Sequence, residues 1–118
     1  MLQLGLASLW HWSQRPDRTP ANLSVGYWQV ARIYALLGRA DDARQYGRLS
    51  LEAARTEGVP LFYSGYAYEA LARAESVAGK GTKMQEYLRL ARQAAEQVSD
   101  AEDRERLIAD LGTIRQAG

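Results

Sequence analysis

The feature that most constrains the fold is an internal repeat, in which residues of about 22–58 resemble residues of about 60–98 at an offset of 41. At this offset Gly38 corresponds to Gly79, and a run of apolar residues at helical spacing precedes Gly38. Four further pairs agree in type, namely Tyr27 with Tyr68, Val30 with Leu71, Ala31 with Ala72, and Arg32 with Arg73. Internal similarity at this period is typical of stacked helix hairpins. The sequence therefore predicts two consecutive hairpins.

The residue types outside these pairs also favour helices. Good helix formers such as Ala, Leu, Arg, Glu and Gln dominate the chain, and only three prolines occur among 118 residues. We expect a single all-α domain of about six helices, over residues 2–14, 22–37, 41–57, 60–78, 83–98 and 100–116. Gly65 falls inside the fourth of these, where it predicts either a kink or a close contact with another helix.

Candidate first-turn residues stand at the predicted helix starts. Side-chain oxygens at these positions satisfy free backbone N–H groups, carboxylates complement the positive end of the helix dipole, and proline suits the first helical residue. The candidates are, in chain order, Asn22 or Ser24, Asp41 or Asp42, Pro60, Thr82 with Gln85, and Ser99 with Glu102.

The segment AGKGTK at residues 78–83 resembles a phosphate-binding loop only superficially. The GxxxxGK[ST] pattern needs a glycine at position 74, which is alanine, and a Ser or Thr after Lys80, where Gly81 stands. The preceding residues also predict a helix, whereas such a loop follows a strand. We therefore interpret the segment as a turn in which Gly79 ends one helix and Thr82 caps the next.

The composition argues against several classes of function. The chain has no cysteine and one histidine, His11, so it offers no thiolate ligand, no cysteine nucleophile and no metal site built from several histidines. Its 15 basic and 14 acidic residues leave a net charge of +1, without the basic excess of a nucleic-acid binder. The apolar N-terminal stretch is too short to span a membrane and lacks a basic n-region. We expect a cytoplasmic protein that is not an enzyme and has no cofactor, metal, nucleic-acid or membrane partner.

The repeat is similar to the tetratricopeptide repeat, whose pattern is W-x2-L-G-x2-Y, then A-x3-F, then P. The first unit matches through Tyr27, Val30, Ala31, Tyr34 and Ala43, and the second through Tyr68, Leu71, Ala72, Met84 and Leu88. The stretches WQVARIYALLGRADDA and YEALARAESVAGK also resemble small, mostly uncharacterised bacterial proteins with tetratricopeptide-like folds. Over residues 9–113, the resemblance implies a right-handed stack of antiparallel helix hairpins, an α-solenoid, that binds a protein or peptide partner.

By this resemblance, the first helix of each hairpin lines a concave groove. The inward positions are Val25, Trp28, Arg32 and Leu36 in the first unit, and Tyr66, Glu69, Arg73 and Val77 in the second. We predict a partner-binding groove built from Trp28, Arg32, Tyr66, Glu69 and Arg73, with the arginines suited to a carboxylate. The alternative is that Arg73 only pairs with Glu69 and Trp28 packs against the first predicted helix. A small ligand held near the same residues is a second hypothesis, and a hydrolase is a third.

Three further groups of residues remain open to more than one interpretation. Trp10 and Trp12 form either core or a protein interface, and we expect a homodimer with the first or last predicted helix in its interface. Phe62, Tyr63 and Tyr66 either extend the groove or pack at the start of their helix. A stripe of arginines on the third predicted helix is interpreted as a solvated outer face, and it comprises Arg44, Arg48 and Arg55.

Overall fold

The computed structural model describes residues 19–114. Within that range the chain forms helices and no strand, which confirms the all-α prediction. The helices are α1 (Pro20–Leu36), α2 (Ala40–Ala54), α3 (Leu61–Val77), α4 (Gly81–Glu96) and α5 (Ala101–Leu111). The predicted helix over residues 2–14, with Trp10 and Trp12, lies outside the described residues.

The helices repeat at the offset found in the sequence. The spans Pro20–Leu36 and Leu61–Val77 differ by 41 residues at both ends, and α2 and α4 begin 41 residues apart. The turns repeat as well, since Gly38 and Gly79 both have a φ of 74°. After each glycine, the next N–H bonds back to a carbonyl of the preceding helix at 2.9 Å, from Arg39 to Tyr34 and from Lys80 to Glu75. This is the Schellman arrangement, which requires a left-handed residue and therefore favours glycine.

The first turn of α1 differs from the sequence prediction. Thr19 is the cap, because its hydroxyl accepts the Asn22 N–H at 3.1 Å. Neither Asn22 nor Ser24 caps this helix, which begins at Pro20 with proline in its favoured first turn. Ser24 is buried, and its hydroxyl donates to the Ser50 carbonyl at 2.9 Å. Its hydrogen bond therefore joins α1 to α2.

Two further predicted caps are wrong by one or two residues. The Schellman turn after Gly79 leads directly into α4, so Lys80 takes the cap position without a side-chain bond and Thr82 lies inside the helix. At α5 the cap is Asp100 and not Ser99, since the Asp100 carboxylate accepts the Asp103 N–H at 2.9 Å. Pro60 also moves by one position, because it precedes the first residue of α3 and does not begin the helix.

The helices pack as two hairpins, which is compatible with a helical repeat stack. Helices α1 and α2 form one hairpin and α3 and α4 the other, α3 contacts both helices of the first hairpin, and α5 covers α3 and α4. One buried cluster joins the hairpins and comprises Val30, Tyr34, Ala35, Ala43 and Ala74. The other lies under α5 and comprises Ala72, Met84, Leu88, Ala91, Ala95, Leu107, Leu111 and Ile114.

Gly65 marks a close helix contact, one of the two alternatives that the sequence left open. A Cβ at this position would lie 2.4 Å from Leu107 Cδ2 and 3.7 Å from the Ala94 Cβ. Because carbon atoms pack at about 3.5–4.0 Å, only glycine lets α5 approach α3 this closely. Gly47 plays the same part in α2, where a Cβ would lie 2.9 Å from Leu71 Cδ2.

The interpretation of the arginine stripe as a solvated face is wrong for Arg44. Its guanidinium donates to both carboxylate oxygens of Glu75, each at 2.8 Å, and the two side chains are only 15% and 5% exposed. Hydrogen bonding from Arg44 holds the pKa of Glu75 below its usual value despite burial. Glu75 approaches Arg44 from α3, and the spacing of arginines along a single helix does not indicate a partner on another helix. Arg48 and Arg55 are exposed, as predicted.

Candidate functional site

Helix α3 packs against both α1 and α5, whereas no Cα atom of α1 lies within 8 Å of one in α5. The space between these two helices, above α3, is the α1–α3–α5 groove. It has an apolar pocket at one end, a pocket of mixed apolar and polar lining at the other, and a polar crossing between them. The sequence predicted that α1 and α3 line the groove. The structure adds α5 as a wall opposite α1.

The first pocket has a volume of about 290 Å³ and opens to solvent. Its aromatic side chains hold one another edge to face, with ring centroids 5.5 Å apart for Trp28 and Tyr66 and 5.1 Å apart for Phe62 and Tyr66. Such arrangements stabilise aromatic clusters beyond simple area burial. The lining residues are Ser24, Val25 and Trp28 of α1, Ser50 of α2, Phe62, Tyr63 and Tyr66 of α3, and Arg106 and Asp110 of α5. Phe62 and Tyr63 thus extend the groove.

The polar crossing centres on Glu69, which is 0% exposed. The Trp28 indole N–H donates to its Oε2 at 3.1 Å, and the Arg73 Nε–H donates to its Oε1 at 2.9 Å. A buried carboxylate needs such partners, because an unpaired one is costly. Both oxygens of Glu69 therefore have a donor within the protein, and Glu69 fixes the positions of the side chains on either side of the groove.

Arg73 makes more contacts than the pair with Glu69 alone. Its Nη2 group also donates to the Thr113 hydroxyl at 3.0 Å and approaches the Asp110 carbonyl at 3.5 Å. These bonds tie α3 to the end of α5. The cationic group of Arg73 is therefore held within the groove floor by protein acceptors.

Arg32 has a different environment. Its guanidinium carbon lies 5.5 Å from the centre of the Trp28 ring, a cation–π contact, and it has no ion pair with any residue in the range 19–114. Trp28 itself packs on Tyr66 and Glu69, whereas its predicted contact with residues 2–14 falls outside the described part of the chain. Stacking on an aromatic ring leaves the planar edge of a guanidinium available to a carboxylate.

Tyr66 links the first pocket to α5. Its hydroxyl donates to Asp110 Oδ2. Burial, together with this hydrogen bond, raises the pKa of the Tyr66 phenol above its ordinary value. Asp110 is therefore engaged by Tyr66, while Arg106 lies on the same wall without an ion pair among the described residues.

The second pocket lies at the other end of the groove and has a volume of about 250 Å³. Leu36 on its rim is 71% exposed, and Leu37 beside it is 51% exposed. The lining residues are Ala35 and Leu36 of α1, Arg73, Ser76 and Val77 of α3, and Thr113 and Ile114 after α5. This end of the groove therefore combines exposed leucines on its rim with a lining that is partly polar.

The structure brings all eight predicted inward positions to this groove. The first pocket is lined by Val25, Trp28 and Tyr66. The second is lined by Leu36, Arg73 and Val77. Between the pockets, Trp28 is contacted by Arg32 and Glu69. The residues missed by the sequence prediction lie mainly on α5. Arg106 and Asp110 are four residues apart, and this spacing predicts an ordinary exposed helix pair.

Within residues 19–114 no three His, Cys, Asp or Glu side chains cluster as metal ligands would. No helix in that range is both long enough and apolar enough to cross a bilayer. Comparisons with known protein families, with curated proteins and with solved structures found no match to this chain. The geometry of the groove is therefore the basis for a functional proposal.

Proposed function

We propose that this chain is a non-catalytic, tetratricopeptide-like interaction module of the cytoplasm that binds a protein or peptide segment in the α1–α3–α5 groove. The observation that carries the proposal is the groove itself, which combines an open apolar pocket, a second pocket of mixed lining, and Arg32, which has no ion pair among residues 19–114. Clustered aromatic rings and arginines are the side chains that contribute most to binding at protein interfaces.

The hydroxyl groups in the first pocket support binding over catalysis. The Ser24 and Ser50 hydroxyls each donate to the other residue's backbone carbonyl, at 2.9 and 2.8 Å. A serine nucleophile needs a neighbouring base that accepts its proton. Because these two protons are used for helix packing, we assign the serines a structural role.

The experiment is selection from a random peptide display library by the full-length chain, followed by affinity measurement in solution. We expect Tyr63→Ala, which removes one wall of the first pocket, to weaken binding of the selected peptides about tenfold or more, as for a central aromatic contact. Arg92→Ala is the matched control, because Arg92 is exposed on α4 and lines neither pocket. Equal affinities for wild type and Tyr63→Ala would contradict the proposal.

The second candidate function is a regulatory domain that senses a small ligand in the first pocket. Its aromatic lining favours this, and its volume of about 290 Å³ lies at the lower limit of the roughly 300–1,000 Å³ usual for such sites. A thermal-shift screen against metabolites tests it, because a ligand at 100 times its Kd stabilises the folded state by about 2.7 kcal/mol. A hit whose shift persists in Tyr63→Ala would place the ligand elsewhere.

A further inference from the structure

We propose that the groove recognises an extended peptide segment of the pattern apolar–x–acidic–x–apolar, in which x is any residue. This inference rests on the proposed function and specifies the chemistry of its partner. The two apolar side chains would enter the two pockets, and the acidic side chain between them would pair with Arg32.

The spacing follows from the helix that forms one wall. The first pocket is lined by Val25 and Trp28, and the second by Ala35 and Leu36. At about 1.5 Å of rise per residue, the centres of these two stretches of α1 lie about 13 Å apart. An extended chain advances about 3.3 Å per residue, so four residues cover that distance.

The alternation of an extended chain then determines which positions face the groove. Side chains at positions i, i+2 and i+4 point to the same side. If positions i and i+4 fill the pockets, position i+2 lies over the middle of the groove, where Arg32 stacks on Trp28. The side chains at the two remaining positions point away from the groove and are therefore not selected.

The charges determine the chemistry of the central position. Glu69 and Asp110 already accept hydrogen bonds from Trp28, Arg73 and Tyr66. Arg32, in contrast, has no carboxylate within the described residues. A ligand carboxylate at this point would satisfy the remaining N–H donors of Arg32 without displacing a protein contact.

The separation of the pockets favours two separate anchors. Their volumes are about 290 and 250 Å³, and the part-buried Trp28–Glu69–Arg73 contacts lie between them. A helical ligand would need about nine residues to advance the same 13 Å, and its intervening turns would have to fit over this crossing. We therefore infer that the bound peptide is extended and not helical.

The test uses two synthetic peptides chosen from the library selection, one with Glu at the central position and one with Gln there. Fluorescence anisotropy compares their affinities for the full-length wild type, for Arg32→Gln and for the control Arg92→Gln. We expect Arg32→Gln to weaken the Glu peptide about three- to fivefold, as for a partly exposed ion pair, and to leave the Gln peptide unchanged. Arg92→Gln should alter neither affinity.

The outcomes separate this inference from the proposed function. Enrichment of apolar–x–acidic–x–apolar peptides, with the Arg32 effect confined to the Glu peptide, supports both. Selected peptides of another pattern that still lose affinity in Tyr63→Ala overturn the inference and leave the function standing. Equal losses of affinity for the Glu and Gln peptides also overturn the inference. They would mean that Arg32 affects binding by positioning the Trp28 ring and not by pairing its charge with the peptide. Failure to select any peptide that depends on Tyr63 overturns both.

Discussion

The buried ion pair between Arg44 and Glu75 joins the two hairpins, and removing one partner alone is predicted to destabilise the protein strongly. Replacing Arg44 by alanine would leave the Glu75 carboxylate, whose side chain is 5% exposed, without its bidentate partner. Breaking a buried pair by removing one partner costs about 3–5 kcal/mol. Because Arg44 is itself 15% exposed, and water can therefore approach the carboxylate, we expect the lower end, about 3 kcal/mol. At about 3–4 °C per kcal/mol for a chain of this size, the melting temperature would fall by roughly 10 °C.

The destabilisation caused by Arg44→Ala should depend on pH. The pKa of Glu75 is lowered in the folded protein, so its contribution to stability is fully present above the carboxyl's ordinary pKa of 4.5 and is lost as the pH falls through the lowered value. Without Arg44, the largest influence that lowers this pKa is lost, and burial, which raises it, is opposed by the weaker effects of the Lys80 and Arg48 charges. The difference in unfolding free energy between wild type and Arg44→Ala should therefore be largest near neutral pH and should shrink in acid.

Urea denaturation across this pH range is the assay, with Arg48→Ala as the control. Arg48 lies one turn further along α2, is exposed, and lowers the pKa of Glu75 much less than Arg44 does, so its replacement should change stability by no more than about 0.5 kcal/mol. The double variant Arg44→Met/Glu75→Leu should recover most of the loss, because apolar residues can replace a buried pair without penalty. The reasoning is refuted if Arg44→Ala costs less than about 1 kcal/mol at pH 7, or if its cost does not depend on pH.

Four further predictions follow from contacts described above. Gly65→Ala should destabilise the protein by about 1–3 kcal/mol in thermal unfolding, since the added methyl group would collide with Leu107. In the Gly65→Ala background, Leu107→Ala should cost less free energy of unfolding than it does in wild type, because it removes that collision. Gly79→Ala should cost about 1–2 kcal/mol, because its φ of 74° is unfavourable for any side chain; an unchanged melting temperature would contradict this. The predicted homodimer should dissociate in Ile108→Glu, as Ile108 is 48% exposed on α5, and sedimentation showing a wild-type monomer would exclude it. In spectrophotometric titration, Tyr66→Phe should remove one tyrosine that ionises above the ordinary phenol pKa, and an unchanged curve in that range would contradict the burial of Tyr66 and its bond to Asp110.

The helices were predictable because their signals are local. Apolar periodicity and the glycines at positions 38 and 79 depend only on neighbouring residues, and the structure bears out both glycines, each with a φ of 74°. The end of α2 differs, because this helix stops at Ala54 and not at the predicted residue 57. The capping residues were less predictable, because several candidates lie close together and the geometry of the preceding turn selects among them. For this reason Lys80, and not Thr82, occupies the cap position of α4.

The sequence predicted the groove residues of α1 and α3 but not those of α5, and this difference has a physical cause. Residues of α1 and α3 could be assigned because the repeat relates the two helices, so that one register defines the inward face of both. The contacts of α5 and the Arg44–Glu75 pair depend on how separate elements dock, and no repeated position in the sequence encodes them. Asp110 and Arg106 therefore looked like ordinary surface residues of a helix.

The repeat also explains why the polar crossing lies where it does. Trp28 and Glu69 are equivalent positions of the two units, 41 residues apart, and they are hydrogen-bonded to each other. Neighbouring equivalent positions of a repeat stack face the same groove, so a difference between the units at such a position creates a contact between unlike side chains. A tryptophan in both units would give an apolar seam, whereas the Trp–Glu pair gives a donor–acceptor contact that recruits Arg73. Arg32, the equivalent of Arg73, then has no second glutamate to bind, because the position four residues before it is Trp28. The divergence at this one pair of positions thus produces both the rigid centre of the groove and the arginine that we propose binds the ligand's carboxylate.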